Sequence, residues 1–405
     1  MNRGLRQKLK KFAQKVILPF CYFINRPKKV IEGRIVLADA HHDSCPMHMS
    51  RVREALKLGR YDFDEWYVDL SKLSTFAGLR EMCKFMKVYA QAEYVILCDN
   101  FLPVASCNKK QKTKVLQLWH GCGAFKKFGY DTIEDCFGYS EHVYRNHDIV
   151  TVTSEHCTKI FSHAMRLPIK FVQPLGNSFS DRLFDSEYIE ASKAKLRYGY
   201  SDIDGRKVVV WAPTFRGYAN EASLYGEEYI DRLQNDLDLI NKIYIIKCPH
   251  PHIKDTGNVT ASDCAMHTDE LLPVCDVLIT DYSSVFFEAL LCQCSLVFFA
   301  PDYNMYAHDR GFYLDYKKLP GEVVCGVVSE KKRARVDFDE NLYQELKNSL
   351  LIAIEHPEQH AKERINCRNK YMSACDGTST DKILEAFISG YQRRNNPDGD
   401  EFENA

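Results

Sequence analysis

The chain has 405 residues, 45% apolar and 27% charged, with a net charge of −1. That composition supports a sizeable packed core in two or three domains and excludes wholesale disorder. The near-neutral charge gives no electrostatic reason for nucleic acid as a partner. The 16 cysteines are scattered through apolar stretches without a C-x-x-C pair. They read as reduced thiols, not as a disulfide framework or a zinc site.

Residues 1–30 carry Arg3, Arg6, Lys8, Lys10, Lys11, Lys15, Arg26, Lys28 and Lys29 with no acidic residue, around the apolar run Val16–Ile24. The run is too short for a membrane span, which needs about 20 apolar residues. Pro19 divides it, and no small-x-small cleavage site follows. The reading is a basic amphipathic segment at a membrane surface, with Phe20, Tyr22 and Phe23 entering the headgroup boundary. The plainer alternative is a first helix packed on the body of the protein.

From residue 34 the chain alternates β-rich runs with helical stretches. Strands are predicted at Arg34–Ala40, Phe63–Asp69, Glu93–Cys98, Val115–Trp119 and Asp148–Thr153, with a helix over Ser50–Leu58 after the first. A second series follows at Lys207–Ala212, Ile243–Lys247, Val277–Thr280 and Ser295–Ala300. Such β-α-β alternation predicts two doubly wound α/β domains. The charged, helical stretch after residue 180 places the boundary there: residues 31–180 form one domain and 181–392 the next. A polar, acidic tail at 393–405 is expected to be disordered. In doubly wound domains ligands sit beyond the carboxyl ends of the strands, so the residues just after each strand are the candidates.

Four segments stand at such ends. Trp119-His120-Gly121-Cys122-Gly123 puts a histidine, suited to take a proton near neutral pH, beside glycines that allow tight turning. Ala212-Pro213-Thr214-Phe215-Arg216 offers a hydroxyl and a guanidinium fork of the shape that matches phosphate. Lys247-Cys248-Pro249-His250-Pro251-His252 stiffens the backbone around His250. Phosphate or ribose contact suits that histidine better than metal, because no carboxylate-rich segment accompanies it. Finally, Thr280-Asp281-Tyr282-Ser283-Ser284 runs from a strand into a helix. A helix N-terminus there can bind phosphate, and Glu288 on the same face suits a ribose diol. Each residue alone has an ordinary reading as a turn, a cap or a surface salt bridge.

Together these motifs, with Ala300-Pro-Asp-Tyr and Arg310-Gly-Phe-Tyr-Leu-Asp-Tyr316, resemble the CDP-glycerol glycerophosphotransferase family of teichoic-acid and capsule synthesis, over about residues 85–375. The resemblance implies a GT-B-like fold with an acceptor-binding N-terminal domain and a donor-binding C-terminal domain. It implies transfer of glycerol phosphate or a related polyol phosphate, such as ribitol phosphate, from a CDP-activated donor, with no cofactor or metal. The acceptor it implies is a lipid-linked saccharide or growing polymer, with the enzyme expected at the cytoplasmic face of the membrane. Carried over residue by residue, His120 is the catalytic base and His250 a second catalytic histidine. Gly121, Pro213, Thr214, Arg216, Cys248, Pro249, Ser283, Ser284 and Glu288 line the donor site. The loop Gly176-Asn-Ser-Phe-Ser-Asp181 lacks the arginine and proline of the family's Gly-x-Pro-Arg-x-Asp turn, so a donor contact from it is not expected. The competing readings are a GT-B glycosyltransferase or an epimerase acting on a UDP-sugar, and a non-catalytic nucleotide-binding relative.

Overall fold

In chain order, most of the short apolar runs become buried parallel strands, and the amphipathic stretches between them become the covering helices. The structure, a computed structural model, describes residues 11–132, 143–203, 205–216, 224–249, 265–328 and 338–391. His250, the N-terminal basic residues Arg3, Arg6, Lys8 and Lys10, and the tail at 393–405 lie outside them. The chain divides into two compact units. The first comprises residues 1–120, 129–181 and 373–405, and the second 121–128 and 182–372.

In the first unit, β1 (Ile35–Asp39), β2 (Phe63–Tyr67), β3 (Tyr94–Leu97), β4 (Lys114–Gln117), β5 (Ile149–Thr151) and β6 (Val172–Gln173) form one sheet. Its order is β2-β1-β3-β4-β5-β6, with every pairing parallel. Strand alternation assigns the two faces. Val36 and Ala38 of β1 pack with Phe85, Met86 and Tyr89 of the helix Thr75–Tyr89. Ile35 and Leu37 pack on the other face with Met49, Val52 and Leu56 of the helix Met47–Leu58.

The second unit holds β7 (Lys207–Ala212), β8 (Ile243–Lys247), β9 (Val277–Thr280), β10 (Ser295–Ala300) and β11 (Glu322–Cys325). These form an all-parallel sheet of order β11-β10-β9-β7-β8. Strand order reverses between β1 and β3 in the first sheet and between β7 and β9 in the second. Those are the switch points at which such sheets open a crevice.

The predicted strands all form, trimmed by one or two residues at some ends, and β4 starts one residue early at Lys114. Two strands escape the sequence reading. β6 is two residues long, and β11 is a short run that starts with a glutamate, so neither carries a recognisable alternation. The expected two-way split also differs from the structure in two places. Gly121–Phe128 belongs to the second unit, where Lys127 N–H donates to the Gly311 carbonyl at 3.1 Å and Tyr313 N–H to that of Phe125 at 2.9 Å. The segment after Met372 returns to the first unit. Its helix Ser379–Phe387 buries Ile383, Leu384 and Phe387 against Ile35, Leu37 and Ile96.

The loop at 176–181 anchors that return. The Asp181 carboxylate accepts from Ser379 N–H at 3.0 Å, Thr380 N–H at 2.7 Å and Thr380 Oγ1 at 2.7 Å. It therefore caps the N-terminus of the last helix, satisfying donors that helix geometry leaves unpaired. Gly176 has φ +90°, and a Cβ there would lie 2.3 Å from Ser379 Oγ and 2.6 Å from the Ala374 carbonyl oxygen.

The N-terminal helical stretch runs through a π turn, Ala13–Ile17, into Leu18–Ile24. Leu18 and Tyr22 are buried with Phe85 and Tyr89. The opposite face leaves Phe12, Val16, Phe20, Phe23 and Ile24 exposed, Phe23 at 71%. The segment is thus both a packed first helix and a carrier of exposed apolar side chains. Among the described residues, no helix is long and apolar enough to cross a membrane.

Candidate functional site

The second unit concentrates its polar chemistry at the carboxyl ends of β7, β9 and β10. Asp281, the residue after β9, reaches across the switch point. Its Oδ1 accepts the Thr214 N–H at 2.7 Å and its own neighbour's, Tyr282 N–H, at 2.6 Å. Arg216 lies between Asp281 and Asp302. Its Nε and one terminal nitrogen donate to Asp302 at 2.7 and 2.9 Å, and that same nitrogen donates to Asp281 Oδ2 at 2.9 Å. The other terminal nitrogen donates to the Thr214 carbonyl at 2.6 Å.

Burial works against the guanidinium charge, but Asp281 and Asp302 more than offset it, so the group stays charged far above its ordinary range. The sequence reading offered this fork to phosphate. The structure instead commits it to two carboxylates, each under 5% exposed. Leaving either unpaired would be costly.

Aromatic rings complete this centre. Tyr282 stacks on Tyr306 at 3.7 Å and donates its hydroxyl to Asp302 Oδ1 at 2.9 Å, and Tyr316 donates to the Asp281 carbonyl at 3.0 Å. Arg216 sits 4.7 Å from the Tyr282 ring centroid, within cation–π range. Burial pushes the Tyr282 phenol well above its ordinary range, so it remains a hydrogen-bond donor.

Against this satisfied background, Thr214 Oγ1 stands out. It is buried and finds no partner among the described residues. Buried polar atoms are rarely left so, and this one lies where the sequence reading places the donor. Pro213 precedes it. Cys248 and Pro249, both buried, follow β8 on the adjacent strand, where Cys248 N–H donates to the Trp211 carbonyl at 2.8 Å. His250 lies outside the described residues.

The strand-to-helix junction forms as expected. The helix Val285–Cys292 begins after Ser283 and Ser284, and Ser283 Oγ accepts the Val285 N–H at 3.3 Å. Ser284 makes no side-chain cap. Glu288 is one turn on, and one of its oxygens accepts from Arg182 at 2.6 Å. Arg182 is 2% exposed. Burial opposes its charge, and Glu288 restores it. Sequence reasoning missed Arg182, since no pattern links it to a residue 106 positions away. Asp302 lies in the Ala300-Pro-Asp-Tyr motif, whose pattern alone gives it no role.

Behind the same helix, Gly123 has φ +63°, and a Cβ there would meet the Phe287 ring at 2.3 Å. Gly121 lies in this second-unit segment.

His120 belongs to the first unit, just beyond β4. Its ring stacks on Trp119 at 4.7 Å, and its Nδ1 lies 3.5 Å from Asp99 Oδ2, beyond β3. His48, on the helix Met47–Leu58, has its ring 6.4 Å from that of His120. Neither Asp99 nor His48 was singled out from sequence. The only available signal was Asp99's place directly after a strand.

A model of the family described as CDP-glycerol:poly(glycerophosphate) glycerophosphotransferase matches residues 65–389. A teichoic acid ribitol-phosphate primase of Bacillus spizizenii is 29% identical over 75% of this chain and 76% of its own length. A teichoic acid poly(ribitol-phosphate) polymerase of the same organism is 31% identical over 77% of this chain, which spans only 53% of that relative. The solved structure of the wall teichoic acid polymerase TagF has the same fold. Its TM-score is 0.68 at 20% identity, covering 95% of both chains.

Proposed function

This chain belongs to the CDP-glycerol:poly(glycerophosphate) glycerophosphotransferase family, and on that premise we propose that it transfers a polyol phosphate from a CDP-activated donor to an acceptor hydroxyl in teichoic-acid synthesis. The family match across residues 65–389 carries this reading. It includes all four strand-end motifs.

In the proposed reaction, His120 takes the proton of the acceptor hydroxyl as its oxygen attacks the distal phosphorus of the donor. The bond from that phosphorus to the bridging oxygen breaks, and CMP leaves with the electron pair. Little covalent work falls to the protein, so catalysis rests on positioning and charge. The N-terminus of Val285–Cys292, with the hydroxyls of Ser283 and Ser284, suits the pyrophosphate. The buried Thr214 hydroxyl provides a donor that a ligand oxygen would satisfy. Glu288, oriented by Arg182, suits the ribose diol. Arg216 serves by holding the β7, β9 and β10 ends together around that site.

The acceptor in this reading is a lipid-linked saccharide or growing polymer. The exposed face Phe12, Val16, Phe20, Phe23 and Ile24, flanked by Lys11, Lys15, Arg26, Lys28 and Lys29, suits peripheral attachment to an anionic cytoplasmic leaflet.

The test is release of CMP or UDP by the purified chain given CDP-glycerol, CDP-ribitol or UDP-sugars with a synthetic lipid-linked acceptor. CMP from one CDP-polyol, with product mass increased by that polyol phosphate, is the expected result. Release of UDP alone would overturn it.

A further inference from the structure

The environment of His120 contains more than the histidine needs for a turn. β4 ends in Gln117, which is wholly buried. An amide in the middle of a parallel sheet must have both its donor and acceptor used. Here Gln117 Nε2 donates to the Asp99 carbonyl at 2.9 Å, and Gln117 Oε1 accepts the Trp119 N–H at 3.0 Å. One buried side chain thus joins the backbone after β3 to the backbone just before His120.

Trp119 has φ +60°, a left-handed conformation that a bulky residue adopts only when its surroundings enforce it. The enforcing contacts are visible. The Gln117 amide holds its N–H, the preceding Leu118 carbonyl accepts from Thr151 Oγ1 at 2.8 Å, and the indole stacks against the His120 ring at an interplanar angle of 25°. The turn directs His120 Nδ1 toward Asp99 Oδ2. Asp99 is itself held, its other oxygen accepting the Asn100 N–H at 2.6 Å.

We infer that Asp99 is the positioning residue for His120. Its carboxylate keeps the imidazole proton on Nδ1 and leaves Nε2 with the lone pair that accepts the proton of the attacking hydroxyl. This inference rests on the proposed role of His120 as base. An imidazole offers two nitrogens, and a carboxylate beside one of them selects the tautomer in which the other is basic. The 3.5 Å separation is at the long limit of a hydrogen bond, and contacts of a catalytic base of this kind tighten in the reacting complex. The ring is 45% exposed and Asp99 32%, so the pair is partly solvated. The penalty for losing the carboxylate should therefore be smaller than the ~10⁴-fold seen when a buried triad aspartate becomes asparagine. About 100-fold in kcat is expected.

The test uses the full chain with Asp99→Asn, Asp99→Glu, His120→Ala and the double variant Asp99→Asn/His120→Ala. Steady-state CMP release is measured with the CDP-polyol that serves as donor. Asp99→Asn should lower kcat about 100-fold and leave KM for the donor within about threefold, since Asp99 belongs to the unit without the donor motifs. Asp99→Glu should recover part of the loss. In the double variant, Asp99→Asn should add nothing to the loss caused by His120→Ala.

Nitrogen-15 spectra of histidine-labelled protein provide a readout that a structural role would not move. His120 should be the Nδ1–H tautomer in the wild type and shift toward Nε2–H in Asp99→Asn. If His120→Ala is inactive but Asp99→Asn keeps wild-type kcat, or if wild-type His120 is already Nε2–H, the positioning role is refuted and the base assignment stands. If His120→Ala is fully active, the base assignment itself fails.

Discussion

Removal of the Asp181 carboxylate tests whether the C-terminal helix is held to the first unit by a capping contact formed across nearly 200 residues. The carboxylate is 9% exposed and accepts three hydrogen bonds, two of them from the backbone N–H groups of Ser379 and Thr380. Replacing a helix-capping aspartate by alanine costs about 0.5–2 kcal/mol in general. Here the bonds are charge-assisted, and the Ser379 N–H bond is buried, so unsatisfied donors add about 1–3 kcal/mol. Limited entry of water into the gap brings the expected loss for Asp181→Ala to about 2–4 kcal/mol.

For a domain of this size that corresponds to a fall in Tm of about 5–15 °C. Asp181→Asn keeps one acceptor oxygen and should lose about half as much. Urea unfolding followed by tryptophan fluorescence is a suitable assay, because Trp66 and Trp119 both lie in the first unit. Amide exchange over Ser379–Phe387 should accelerate in parallel. If Asp181→Ala unfolds within about 0.5 kcal/mol of the wild type, the capping contact does not hold the segment, and the reasoning fails.

Three further outcomes follow from the same kind of accounting. Arg216→Leu leaves Asp281 and Asp302 buried without their cation and should destabilise the second unit by about 3–5 kcal/mol, read by urea unfolding. The double change Arg216→Leu/Asp302→Leu should recover part of that loss. Arg182→Met should raise KM for the CDP-polyol about tenfold through the freed Glu288, and Glu288→Gln should do the same. A donor Kd unchanged in both would refute the ribose contact. Asp376 accepts from Thr378 N–H, Thr378 Oγ1 and Lys382 Nζ. Despite some burial, which raises its pKa, these partners lower it to about 2. A depressed carboxylate stabilises fully above its unfolded pKa of about 4 and loses that contribution as pH falls toward 2. Because the carboxylate is half exposed, Asp376→Asn should remove less than about 1 kcal/mol of this pH dependence. Unfolding measured from pH 5 to pH 2.5 checks it.

The chain sequence already contained whatever is determined over a few residues. Alternating short apolar runs and amphipathic stretches gave two doubly wound sheets, because strand and helix periodicities are local. A polar residue just beyond a predicted buried strand marked Thr214 and His120, because strand ends in such sheets open onto a crevice. Resemblance in those same motifs pointed to the family that the chain belongs to. Three features were not legible locally. Arg216 reads as a phosphate ligand until Asp281 and Asp302, from two other strands, occupy its fork. Arg182 has no visible purpose until the fold brings Glu288 within 2.6 Å. The last helix reads as part of the second domain until its apolar face and the Asp181 cap place it on the first. In each case the deciding term is the cost of exposing an apolar face or of burying a charge or an unpaired donor. That cost depends on which distant groups the chain brings together, so only the tertiary structure could decide it.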